Sequence, residues 1–105
     1  MPPRISVDRK KISRFCRGWK IAEFSFFGSV LRDDFGPDSE IDVLVSFGPD
    51  AGWSLLDHVQ MEEELAAILG RKADLVSRRG IERSRNWIRR EAILGSAEPF
   101  HVGAR

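Results

Sequence analysis

The stretch Phe26-Phe-Gly-Ser-Val-Leu-Arg-Asp-Asp-Phe-Gly-Pro-Asp-Ser-Glu-Ile-Asp-Val-Leu-Val-Ser-Phe47 decides how this chain is read. An aromatic run ends in the pair Gly28-Ser29, and ten residues later Glu40 and Asp42 open a second apolar run. Further on, Lys72-Ala-Asp-Leu-Val76 places Asp74 at the start of a third. Side chains on a strand alternate with period two, so Glu40 and Asp42 share a face, and Asp74 can reach them from a neighbouring strand. Glycine lets a backbone approach a phosphate closely, and a helix beginning at Ser29 offers free N–H groups and the positive end of its dipole. The Ser29 hydroxyl adds a further donor. Carboxylates for divalent cations beside a cradle for phosphate suit a nucleoside triphosphate held over the edge of a sheet.

Working outward, residues 9–18 read as a helix capped by Asp8, with Ile12, Phe15, Cys16 and Trp19 on one stripe and Gly18 at its end. Cys16 on that stripe reads as core. Residues 22–27 alternate and are aromatic, which predicts a strand. Ser29 then caps a short helix to about Asp34, and 36–39 form a loop by composition. Ile41–Phe47 has the near-continuous β-branched content of a strand covered on both faces. After a second loop at 48–52, a helix is expected over about 53–69, with Leu55, Val59, Ala66 and Leu69 on one side, Glu62, Glu63 and Glu64 outward, and Gly70 ending it. Ala73–Ser77 reads as a third strand and 81–94 as a last amphipathic helix. The tail 99–102 either adds a short edge strand or docks. The order of elements implies an α/β (α+β) fold, a small mixed, twisted β-sheet flanked by helices, in one domain over residues 1–105.

Composition narrows the classes. Apolar residues make up 42% and charged residues 31% of 105, ordinary for a globular domain with a modest core. No apolar run approaches the roughly 18 residues a membrane span needs, and no secretory leader is expected behind Met1-Pro-Pro-Arg4. A single cysteine excludes an internal disulfide and suits a reducing cytoplasm. Seventeen Lys and Arg against sixteen Asp and Glu argue against a general nucleic-acid binder.

Other conspicuous residues carry less. Arg83, Arg85, Arg89 and Arg90 read as a solvated face with pairs such as Glu82 to Arg85, and Trp87 and Ile88 as packing. Trp53 either starts the long helix or belongs to a partner surface. His58 and His101 have no companions at metal-binding spacing. Asp38 shapes its loop through backbone contacts, and Lys72 is expected in solvent.

Gly28-Ser29, the ten-residue gap and Glu40-Ile-Asp42 before Val-Leu-Val resemble the signature of the DNA polymerase β-like nucleotidyltransferase superfamily. The strings Phe-Gly-Ser-Val-Leu-Arg32 and Pro-Asp-Ser-Glu-Ile-Asp42 are similar to the minimal nucleotidyltransferase (MNT) domains of bacteria and archaea. That resemblance implies a polymerase-β-like nucleotidyltransferase fold. It also implies that Gly28 and Ser29 bind the triphosphate, with Arg32 at a basic position able to touch a phosphate. Glu40, Asp42 and Asp74 would hold two Mg²⁺ ions, and Asp74 would help activate an acceptor hydroxyl. It further implies ATP as substrate, AMP as the transferred group, and an acceptor on a separate protein. For minimal members that protein is typically a HEPN-domain toxin, with the MNT chain as antitoxin.

The family's usual first acid is aspartate, whereas Glu40 sets its carboxylate one methylene further out. A misplacement of about 1 Å can cost about a hundredfold in rate. The competing reading is therefore an antitoxin that silences its partner by binding, with an impaired metal site. A homo- or hetero-oligomer is compatible with either.

Overall fold

The computed structural model describes residues 7–31, 36, 39–49 and 51–102. Asp8 caps helix α1 (Arg9–Gly18) by accepting from the amides of Lys10 and Lys11. Ile12, Phe15 and Cys16 are its buried face. Lys20, at φ 58, turns the chain into strand β1 (Ile21–Phe27). A 3₁₀ turn (Gly28–Leu31) follows, then strand β2 (Ile41–Phe47). Ser54 and Asp57 form a capping box at the start of helix α2 (Leu55–Leu69), which ends on a left-handed Gly70. Strand β3 (Ala73–Ser77) runs into the short helix α3 (Arg78–Glu82), whose cap is the Ser77 hydroxyl. Asn86 caps helix α4 (Trp87–Ser96), and strand β4 (Glu98–Val102) closes the described chain.

The four strands lie in the order β3-β2-β1-β4. β1 pairs antiparallel with β2 and with β4, while β2 and β3 are parallel, so the sheet is mixed as expected. Apolar side chains cover both faces. Phe24, Phe26, Ile41, Val43, Val45 and Leu75 meet Ile12, Phe15 and Cys16 of α1 and Met61 and Leu65 of α2. On the other face Phe27 and Leu44 pack with Ile81 of α3 and Ile93 of α4. This two-sided cover explains the continuous apolar content of β2. The tail is a true edge strand, tied to α1 by Arg9, which stacks 4.1 Å from the Phe100 ring centroid and donates to the Phe100 carbonyl.

Several expectations need correction. The region 81–94 is two helices, because Ser77 and Asn86 each cap a new start; Glu82 and Arg85 therefore do not share a helix. Trp53 does not open α2: it is half-buried, its indole donates to the Trp19 carbonyl at 2.9 Å, and the two indoles meet edge-on. In α2 the buried residues are Met61 and Leu65, while Leu55 (78%) and Val59 (45%) are exposed. The first turns of α2 carry their apolar side chains away from the sheet. Glu62 and Glu64 turn inward, to the Leu75 amide and the Trp19 indole. Trp87 and Ile88 are 62% and 66% exposed and do not pack into the core. Of the short helix expected from Ser29 to about Asp34, the described part, Gly28–Leu31, is a 3₁₀ turn; Arg32, Asp33, Asp34 and Asp38 lie outside the described residues.

A carboxylate cluster beside a glycine turn

Strand register builds the site. Phe27 pairs with Asp42 across β1 and β2, which brings Gly28 beside Asp42. Asp42 pairs with Asp74 across the parallel strands, so the two acids stand side by side. Glu40 precedes the strand, just ahead of the Ile41 amide, which donates to the Lys72 carbonyl at 3.0 Å. One carboxylate oxygen from each of Glu40, Asp42 and Asp74 lies within 4.8 Å of the other two. Asp42 and Asp74 are half-buried and Glu40 is exposed.

Gly28 is held at φ 75, the left-handed region that favours glycine. A Cβ at this position would collide with Asp42 Oδ2. The turn is thus packed against a carboxylate of the cluster, leaving room there for nothing larger than hydrogen. The backbone of Ser29 continues the same 3₁₀ turn; the Ser29 side chain and Arg32 fall outside what the structure describes.

Three features govern the electrostatics. Burial raises the Asp74 carboxyl above its ordinary value of 3.8, with the like charges of Glu62 and Glu40 and a hydrogen bond to Glu62 adding to it. Arg89 of α4 opposes that shift, so one of the arginines expected only to face solvent acts on the cluster. Lys72 Nζ sits 3.2 Å from Glu40 Oε1. An exposed pair of that kind is worth about 0–1 kcal/mol, too little to fix Glu40 against a divalent cation.

Glu62 was missed by the sequence reading. Its Oε2 accepts from the Leu75 amide at 2.9 Å, and His58 Nε2 lies 3.6 Å from the same oxygen. Taking Met61 and Leu65 as the buried stripe places Glu62 on the flank of α2 that meets β3. Leu55 and Val59 masked that signal. Neither histidine joins a three-residue metal group among the described residues. Cys16 is buried and its thiol is pushed up to about 12 by desolvation, consistent with a core role. A separate cavity of about 590 Å³ lies further along the parallel strands, lined by Phe47, Trp53, His58, Ser77 and Arg78 among others.

The donor set fits a hard divalent cation such as Mg²⁺, which takes oxygen ligands from one or two carboxylates together with substrate phosphates. Three mutually close carboxylates repel one another, and a cation relieves that repulsion.

Comparison with known proteins agrees with this geometry. Residues 8–97 match the model of the nucleotidyltransferase domain family. A candidate protein adenylyltransferase of Methanocaldococcus jannaschii is 42% identical over 73 residues, covering 70% of this chain and 76% of that protein. Protein adenylyltransferase MntA of Thermococcus cleftensis is 37% identical over 62 residues, 59% of this chain and 61% of that protein. Among solved structures, a candidate minimal nucleotidyltransferase superposes with a TM-score of 0.67 at 33% identity, over 88% of both chains. A chain from a complex of a tri-AMPylated Shewanella oneidensis HEPN toxin with an MNT antitoxin gives 0.61 at 20% identity, over 90% of this chain and 70% of that one. At that identity the second likeness concerns the fold alone. With the family model spanning residues 8–97, nearly all of the described residues, this chain belongs to the nucleotidyltransferase domain family.

Proposed function

We propose that this nucleotidyltransferase moves AMP from ATP onto a side-chain hydroxyl of a partner protein, and that the partner is a HEPN-domain toxin for which the chain is the antitoxin. The observation that carries the reading is the meeting of Glu40, Asp42 and Asp74 within 4.8 Å of one another, beside a glycine turn at φ 75. The relatives named as protein adenylyltransferases, and the AMPylated toxin in a complex of the same fold, support protein as the acceptor class.

In this reading Glu40, Asp42 and Asp74 hold two Mg²⁺ ions, whose contribution when bound is to neutralise charge on the triphosphate and on the acceptor oxygen. The Gly28 backbone and the amides of the 3₁₀ turn face the phosphates, with Ser29 and Arg32 completing the cradle. The acceptor oxygen attacks the α-phosphorus, the bond from that phosphorus to the bridging oxygen breaks, and pyrophosphate leaves. Asp74, beside its Asp42 neighbour, takes the acceptor proton on a carboxylate oxygen. Its half-buried setting and raised affinity for a proton suit that task. Residues 1–105 act as one domain, in the cytoplasm where ATP and reduced thiols are found.

A second reading has a specific observation behind it. Glu40 reaches out to Lys72, and a displaced first acid would leave an antitoxin that neutralises its partner by binding alone. Intact-mass spectrometry separates the two, using wild type and Asp42→Asn with Mg²⁺, ATP and the product of the adjacent reading frame. Addition of AMP to the partner by wild type and not by Asp42→Asn is the expected result. A silenced but unmodified partner in a stable complex would overturn the enzymatic reading in favour of the binding one.

A further inference from the structure

We propose that Glu62 is a positioning residue of the acid cluster, fixing the strand that presents Asp74. Among the described residues β3 is an edge strand, with β2 on one side only. Asp74 pairs in register with Asp42, and the next peptide turns its N–H outward. An outward N–H on an edge would ordinarily go to water or to another chain. Here the Leu75 amide instead donates to Glu62 Oε2 at 2.9 Å, across thirteen residues of sequence. Leu75 itself is 2% exposed, so its side chain is anchored in the core while its amide is anchored to α2. These two anchors set the plane of the peptide that joins Asp74 to Leu75, and with it the direction in which the Asp74 side chain leaves the strand. His58 Nε2, one turn earlier on α2, lies 3.6 Å from the same carboxylate oxygen, and the Glu62 carboxylate also meets that of Asp74 directly.

The position of Asp74 matters more than that of most strand residues, because it is one of three carboxylates that must stay within ligand reach of a single point. Groups that orient a metal ligand without touching the metal typically change metal affinity by about 10- to 100-fold when removed. A surface glutamate on a helix facing solvent would change nothing. The inference rests on the cation-site reading above, and its test is arranged to read out in the absence of ATP and of any partner.

The experiment is a Mn²⁺ titration of the isolated chain, followed by isothermal calorimetry, on wild type, Glu62→Ala and Glu62→Gln. Thermal melts establish that each variant is folded at the titration temperature. Glutamine keeps an oxygen able to accept from the Leu75 amide, whereas alanine does not. The expected result is a Mn²⁺ affinity about tenfold weaker for Glu62→Ala, with Glu62→Gln within about threefold of wild type. Amide hydrogen exchange at Leu75 should accelerate in the alanine variant only. An unchanged Mn²⁺ affinity in a folded Glu62→Ala would overturn the proposal, leaving Glu62 a stabilising contact. Equal loss in both variants would also overturn it, since charge and not the amide tether would then be at work. If wild type binds Mn²⁺ but transfers no AMP, the proposed activity falls while the role of Glu62 is still decided by the titration. A wild type that binds no Mn²⁺ removes the cation site and this role with it.

Discussion

Gly28 and Asp42 share one small volume: the missing side chain of the first is the space taken by the Oδ2 atom of the second. The glycine turn and the carboxylate cluster are therefore one packed unit, joined by the register that sets Phe27 opposite Asp42.

Gly28→Ala follows directly. The added methyl must displace the Asp42 carboxylate, and alanine must also adopt φ 75. Backbone strain of that kind costs on the order of 1–3 kcal/mol. The expected outcome is a lower melting temperature together with at least about a tenfold loss of Mn²⁺ affinity, measured by thermal denaturation and by titration.

Asp74→Asn is expected to stabilise the cation-free protein while abolishing transfer. The folded state raises the Asp74 carboxyl above 3.8, so between that value and the folded one the native chain keeps a proton that the unfolded chain has lost. Stability consequently falls as pH rises through this interval, and the full penalty is present at neutral pH. Asparagine removes it. Because Asp74 is only partly buried, solvent screens much of that penalty, and the gain reads as a small rise in Tm. Calorimetric scans should show the two proteins converging in acid, where the carboxyl is protonated in both folded and unfolded chains, and the variant higher at pH 7. Mg²⁺ should then raise the Tm of wild type and leave the variant unmoved.

Much of this arrangement is legible in the sequence, for reasons that differ by element. β2 and β3 could be bounded because β-branched runs flanked by loops leave little alternative, and α1 because Asp8, the stripe from Ile12 to Cys16 and Gly18 agree with one another. The acid cluster was readable because period-two alternation is a property of any strand. Spacing along a helix gives less information about its surroundings. Leu55 and Val59 have the periodicity of a core face, yet only the later turns of α2 lie over the sheet, so Met61 and Leu65 are the ones buried. The inward turn of Glu62 depends on an unpaired amide on an edge strand, and which strand is the edge is a matter of sheet order, not of local pattern. Likewise the division between α3 and α4 depends on the Ser77 and Asn86 side chains each committing to a cap.

Glu40→Asp is expected to speed transfer by about tenfold, because a shorter acid draws back from Lys72 and toward the two strand aspartates. Single-turnover AMP transfer to the partner, with Lys72→Ala as the comparison, checks this. Lys72→Ala should leave melting within about 0.5 kcal/mol of wild type, as expected for an exposed pair. A rate that falls with Glu40→Asp would mean that the rest of the cluster is already fitted to the longer side chain.

The ladder begins at Ile41, one residue after Glu40, so the first acid of the cluster is hung outside the framework that locks the other two. Asp42 and Asp74 project from paired backbone, so neighbouring strands fix where their side chains start, whereas position 40 can exchange one acid for another outside the ladder. Such a site has one adjustable member and two fixed ones. Its rate can be set in steps by the length of a single side chain, which gives variation a dial where a rigid triad would offer only a switch.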